Sequence, residues 1–176
     1  MTKTGKTYGG ALYDLAQDEG LQEQILHDLA LVLEVFRENP DYLRLLREPS
    51  VKKAERIALL DEAWRDSLHL YTLNFLKLLC ENGTIGLLSD CEAEYHRRYN
   101  EEHGILAVRA VCAVPLKPEL RQRLVDKLSE RTGKTIDLRV DVDEHLLGGM
   151  RLELDGQELD GTVRHHLDAI SRLLKT

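Results

Sequence analysis

The stretch Leu73-Asn74-Phe75-Leu76-Lys77-Leu78-Leu79-Cys80-Glu81-Asn82-Gly83 constrains this chain most, because it predicts a helix too apolar for its length that stops on a strong signal. Leu73, Phe75, Leu76, Leu78 and Leu79, with Leu68, Leu70 and Tyr71 before them, cover more of the helix surface than the one stripe needed to pack on a core. Asn82-Gly83 supplies the left-handed backbone that ends a helix. Such a helix has two physical solutions: it is central and buried on all sides, or it packs one face on its own core and keeps another for a partner.

The flanking sequence predicts that this helix is the fifth of six. Tyr8, Ala11, Leu12, Leu15 and Ala16 recur at helical spacing and Gly20 closes the run, while Leu21, Ile25, Leu29, Val32, Leu33 and Phe36 trace a second face up to Asn39-Pro40. A short third helix spans Asp41 to Arg47 and ends before Pro49. Ser50 reads as an N-cap for a fourth, Val51 to about Trp64, with Ala54, Ile57, Ala58 and Leu60 inward. The fifth covers Leu68 to Asn82, and the sixth runs from about Ile85 to His103 through Leu88, Cys91, Tyr95 and Tyr99.

After Gly104 the period changes. Residues 105–114 form a β-rich run that Pro115 ends, Pro118 opens a helix with Leu120, Leu124 and Leu128 on one face, and Thr132-Gly133 closes it. Ile136, Leu138, Val140 and Val142 alternate with polar residues as a strand with one wet face. Gly148-Gly149 precedes a strand through Met150, Leu152 and Leu154, Asp155-Gly156 turns the chain into Glu158 and Leu159, and a last helix, Thr162 to Leu174, carries Val163, Leu167, Ile170 and Leu174. The fold class expected is α+β: an N-terminal six-helix bundle over 1–104, then a small C-terminal α/β domain with a mixed sheet over 105–176.

Charge follows the same division. Residues 1–104 hold 12 Lys/Arg against 19 Asp/Glu and residues 105–176 hold 12 against 12, so the whole formal charge of -7 belongs to the first part. An acidic surface without a Lys/Arg cluster argues against nucleic acid or anionic lipid as a direct ligand, since both require phosphate neutralisation. A protein partner is the better expectation. No run approaches the ~20 apolar residues that span a bilayer, and Met1 to Lys6 is not followed by the apolar core of a signal peptide, so a cytosolic protein with no direct membrane insertion is expected.

The residues of chemistry do not assemble into a site. Cys80, Cys91 and Cys112 are odd in number, widely spaced and set among apolar residues, which fits buried side chains in a reducing compartment rather than a disulfide framework, a metal site or a nucleophile. His165 and His166 are adjacent, so on a helix they diverge by about 100° and cannot share a metal. No phosphate loop is present, and Asp141, Asp143 and Glu144 read as a solvated strand end. No catalytic residue, cofactor or metal is therefore expected.

Several segments together resemble the delta subunit family of bacterial F-type ATP synthases, counterpart of the mitochondrial oligomycin-sensitivity-conferring protein. They are Tyr8-Gly9-Gly10-Ala11-Leu12-Tyr13, the Leu73 to Gly83 stretch, Tyr99-Asn100-Glu101-Glu102-His103-Gly104-Ile105, Thr132-Gly133-Lys134, Val142 to Gly149, and Leu159-Asp160-Gly161-Thr162-Val163-Arg164. Two departures are Glu144, where the family commonly has Pro, and the pair Gly9-Gly10, which should loosen the first helix by about 0.5 to 1 kcal/mol per glycine.

The resemblance implies a non-catalytic stator subunit, present once in a hetero-oligomeric complex on the cytoplasmic face of the cell membrane. It implies that the bundle caps the catalytic head, taking an N-terminal helix of an alpha subunit between its first and fifth helices, and that the C-terminal part holds the b-type subunits of the peripheral stalk. By position the partner-binding residues are Tyr8, Ala11, Leu12 and Leu15 on one wall and Asn74, Phe75, Leu78, Leu79 and Asn82 on the other. Two other classes stay open on the residues alone. One is a free-standing adaptor that binds some other amphipathic helix, and the other a small enzyme using His165 or Cys112.

Overall fold

A computed structural model describes residues 1–146, 149–154 and 157–160. The chain divides into two compact units, Met1–Tyr99 and Asn100–Thr176, the division falling in the last turn of a helix just before Gly104, where the sequence period changes.

The first unit is helical: α1 (Lys3–Glu19), α2 (Gln22–Glu38), α3 (Pro40–Arg47), α4 (Lys53–Trp64), α5 (Leu70–Glu81), a 3-10 turn (Ile85–Leu87) and α6 (Leu88–Glu102), which runs on into the second unit. Local chemistry sets most of the ends. Thr2 Oγ1 accepts the Gly5 N–H at 3.1 Å to cap α1, and Gly20 takes φ 68° at its other end, where Leu21 N–H reaches back to Ala16 O at 2.8 Å. Gly83, at φ 69°, ends α5 in the same way, with Thr84 N–H donating to Leu79 O at 2.8 Å. Pro40 starts α3 where its missing N–H does no harm.

These helices share one core containing Leu12, Ala16, Ile25, Leu29, Val32, Leu46, Leu60, Leu76, Leu79, Leu88 and Tyr95. Tyr95 packs edge-on to Tyr13 with ring centroids 5.1 Å apart and donates its hydroxyl to Gln22 O at 2.9 Å, so the largest fully buried side chain leaves no polar atom unsatisfied.

Two details of α4 correct the sequence reading. Ser50 does not cap the helix: its N–H and hydroxyl both go to Glu48 Oε1, and α4 starts at Lys53 without a side-chain cap. Ala54 and Ala58 are exposed, and the buried face is Arg56, Leu60 and Trp64 at four-residue spacing. Arg56 is drawn inward because its Nη1 donates at 3.0 Å to Leu46 O, in the last turn of α3, where a cation also opposes the negative end of the helix dipole. A pattern that counts Arg as polar turns α4 the wrong way.

The glycines of α1 also differ from expectation. Gly5 and Gly9 are buried against α6: a Cβ on Gly9 would overlap the Cys91 carbonyl oxygen, and one on Gly5 would overlap Asp90. Gly10 leaves room for the Arg98 guanidinium, which reaches over α1 to Asp14 at 2.7 Å. What reads in sequence as a weakened helix is a close helix-to-helix seam.

The second unit contains β1 (Ile105–Cys112), α7 (Pro118–Thr132), β2 (Thr135–Val142), β3 (Met150–Leu154) and β4 (Gln157–Asp160). The sheet order is β2-β1-β3-β4, with β1 parallel to β2 and antiparallel to β3, and β4 antiparallel to β3. The α+β class and the mixed sheet are as expected. Leu106, Val108, Ala110 and Cys112 of β1 and Leu138 of β2 form one packed face, with Leu124, Val125 and Leu128 of α7 against it. Leu120 and Val142, read as inward, are exposed; Val125 completes the α7 stripe instead, and Val142 is the end of its strand. On the opposite face Arg109 bridges Asp141 at 2.6 Å and Glu153 at 3.4 Å across three strands, as the wet side of a sheet should. The Asp155-Gly156 turn and the helix expected over 162–174, with His165 and His166, lie outside the described residues.

The α1–α6 seam yields a direct test. Gly9→Ala removes a poor helix former, worth about 1 kcal/mol in its favour, but inserts a methyl into the Cys91 carbonyl. Overpacking of this kind costs about 1 to 3 kcal/mol, so urea denaturation should show a lower midpoint for Gly9→Ala than for wild type.

Candidate functional site

The walls of the candidate site are α1 and α5, and what fixes α5 is a buried carboxylate. Asp28 of α2 is only 1% exposed; its Oδ2 accepts the His69 N–H and the Thr72 hydroxyl, each at 2.8 Å, and its Oδ1 accepts Gln24 Nε2 at 2.9 Å. His69 and Thr72 stand at the start of α5, so a negative group from a neighbouring helix holds the positive end of α5 in place. At the edge of α5, Asp61 of α4 pairs with Lys77 and, at 2.9 Å, with Arg65, and these bonds hold its carboxyl below the usual range.

Between α1 and α5 lies an apolar hollow of about 460 Å³, lined by Tyr8, Ala11, Leu12 and Leu15 from one helix and by Tyr71, Asn74, Phe75 and Leu78 from the other. Seven of the nine residues named from sequence are therefore brought together. Leu12 and Phe75 form the floor and belong to the core as well, whereas Leu15 and Leu78 are 41% and 44% exposed at the rim.

The other two fall elsewhere. Leu79 is fully buried in the core: at about 100° per residue it has turned off the Tyr71, Asn74, Phe75, Leu78 face onto that of Thr72 and Leu76. Asn82 does not line the hollow, but its Nδ2 donates at 3.2 Å to the hydroxyl of Tyr8, which does. Tyr71 lines the hollow and is not among the residues named from sequence, although its spacing of four to Phe75 and seven to Leu78 is the signal that finds it.

The reactive residue types take no part in this hollow. All three cysteines are buried and their thiols are pushed up by burial, Cys91 to about 11 with Asp90 adding to the effect. Among the described residues no group of three or more His, Cys, Asp or Glu is placed to hold a metal, and no helix is long and apolar enough to cross a membrane. What this surface offers is shape and apolar area, suited to a side-chain stripe rather than to a reacting molecule.

A family model described as ATP synthase delta (OSCP) subunit matches residues 4–174. The chain belongs to that family. The ATP synthase subunit delta of Chlorobium phaeobacteroides (strain BS1) is 34% identical over 173 residues, 98% of this chain and 96% of that one. The ATP synthase subunit delta of Gloeobacter violaceus is 35% identical over 162 residues, 91% of this chain and 88% of its own. The fold is also found in a chain of the cryo-EM structure of the Toxoplasma gondii mitochondrial ATP synthase hexamer, at a TM-score of 0.81 and 18% identity over 99% of both chains. The delta (OSCP) chain is a non-catalytic subunit of an ATP synthase, a membrane-associated assembly of ATP synthesis and ion transport.

Because Asp28 sets the start of α5, its loss should be felt through the whole wall. Asp28→Ala leaves the His69 N–H and the Thr72 hydroxyl short of an acceptor inside the protein, at about 1 to 3 kcal/mol for each unsatisfied buried group. Asp28→Asn keeps one acceptor oxygen and should lose less. Thermal unfolding should place wild type highest, the Asp28→Asn variant below it and the Asp28→Ala variant lowest.

Proposed function

We propose that this chain is the stator link of its ATP synthase. In this reading residues 1–104 form a six-helix bundle whose α1–α5 groove takes an N-terminal helix of an alpha subunit on the catalytic head. Residues 105–176 hold the b-type subunits of the peripheral stalk, and the whole lies at the cytoplasmic face of the membrane. The chain then does its work by resisting rotation, keeping the head from turning with the rotor while ions drive ATP synthesis.

The observation that carries the reading is the groove itself, in a chain of the delta (OSCP) family. Leu15 and Leu78 stand nearly half exposed on either side of an apolar floor made by Leu12 and Phe75. An amphipathic helix laid between them removes that apolar area from water, at about 25 cal/mol per Å², and its i, i+3/i+4, i+7 residues match the spacing of the walls. The acidic balance of residues 1–104, net -7, favours a helix whose outer face is basic.

Titration with the alpha-subunit N-terminal helix as a peptide tests the groove. Leu78 is at the rim, so Leu78→Asp should fold normally by circular dichroism and yet bind at least about 30-fold more weakly, the loss typical of an interface anchor. Unchanged affinity would remove the groove from the reading. The stalk contact is tested separately by reconstituting the synthase with a chain ended at Gly104. Ion-driven ATP synthesis should be lost while ATP hydrolysis by the isolated head continues, and synthesis at the full-length level would overturn the assignment of residues 105–176.

A further inference from the structure

The groove is not uniformly apolar, and the exception is placed where it must be met. Asn74 lies between Tyr71 and Leu78 along the α5 wall, is exposed, and among the described residues makes no side-chain hydrogen bond. The other polar groups along the hollow are accommodated differently. Tyr8 Oη already accepts the Asn82 amide at 3.2 Å, and the Tyr71 hydroxyl sits at the tip of a rigid ring that can keep it at the wet edge. A carboxamide on a one-carbon stem has no such reach. Once a helix covers the groove, Asn74 loses its water and must find a partner on that helix.

We infer that Asn74 is the specificity-determining residue of the groove, fixing which helix it accepts and in what register; this rests on the reading of the groove proposed above. The occupant's apolar stripe must carry one uncharged hydrogen-bonding side chain, an amide or hydroxyl, opposite Asn74, with apolar residues before and after it for Leu15 and Leu78. A charged group there would be buried beside Phe75 and Leu12 without a counter-charge, which is unfavourable. An all-apolar stripe would strand the carboxamide, and so would the correct stripe slid by one turn. The same device, a single polar residue in an apolar seam, sets register in coiled coils.

A binding cycle on the full-length chain tests this. The probe is the alpha-subunit N-terminal helix peptide together with versions in which each polar residue on its apolar stripe is replaced in turn by Leu. One replacement, and one alone, should weaken binding to wild type by roughly tenfold, the loss from leaving one buried polar group unpaired. Asn74→Leu should lose a similar factor with the unmodified peptide and recover it with that one modified peptide, so the two changes are coupled rather than additive. Additive losses, or tighter binding of the unmodified peptide to Asn74→Leu, would overturn the role of Asn74 while leaving the groove standing. Failure of the unmodified peptide to bind wild type at all would overturn the groove reading, and this inference with it.

Discussion

The helical unit depends on a carboxylate where an apolar residue would be expected. Asp28 is buried in the middle of α2, and three neutral donors, two of them from the start of α5, account for its oxygens. Burying a carboxylate is unfavourable unless its hydrogen bonds are made, so the arrangement is close to all-or-none. With His69 and Thr72 in place the charge is tolerated, and the N-terminus of α5 has an anion beside its free N–H groups. With α5 displaced, both sides lose. That coupling gives a helix of unusually apolar sequence one definite position, where hydrophobic contact alone would permit several rotations about its axis.

The other wall is fixed by the opposite means, an absence of side chains. Gly5 and Gly9 bring the backbone of α1 down onto α6, where any Cβ would collide with Asp90 or Cys91. Glycine, Leu12, Tyr13 and Ala16 therefore face inward, and the remaining apolar residues of α1, Tyr8, Ala11 and Leu15, turn toward α5 and solvent. The hollow is a consequence of this geometry. Two helices are each anchored on a face away from one another, α1 by glycines on α6 and α5 by Asp28 on α2, and the apolar residues left between them find no third helix of the described chain to cover them.

Much of this is legible in the sequence because it rests on local rules. Gly20, Gly83 and Gly133 end helices as left-handed caps, Pro118 begins one, and the change of period after Gly104 marks the strands. Seven of the eight residues that line the groove follow from spacing and family resemblance. What escapes is non-local. Arg56 points inward because a carbonyl of α3 awaits it, which no periodicity within α4 reveals, and the exposure of Ala54 and Ala58 follows. Leu79 and Leu78 are equally apolar neighbours, and only the rotation imposed at the far end of α5 decides which one reaches the groove. Asp28 reads as one more surface acid until its partners, 41 and 44 residues away, are known.

The groove is also part of the core, and this has a thermodynamic consequence for any helix that occupies it. Leu12 and Phe75 contribute simultaneously to the buried cluster and to the floor of the hollow. Residues that serve both roles cannot report on binding alone, since truncating them opens a cavity in the folded chain as well as in the interface. Leu15 and Leu78 at the rim separate the two effects. A ligand that binds only the folded chain stabilises it by RT ln(1 + [L]/Kd), so a helix seated on Leu12 and Phe75 acts as an added layer of the same core. In the stator reading proposed above, the link must not open under load. An attachment site built from core residues would make opening the bundle and releasing the partner one event, so that the strength of the attachment and the stability of the unit that carries it would rise together.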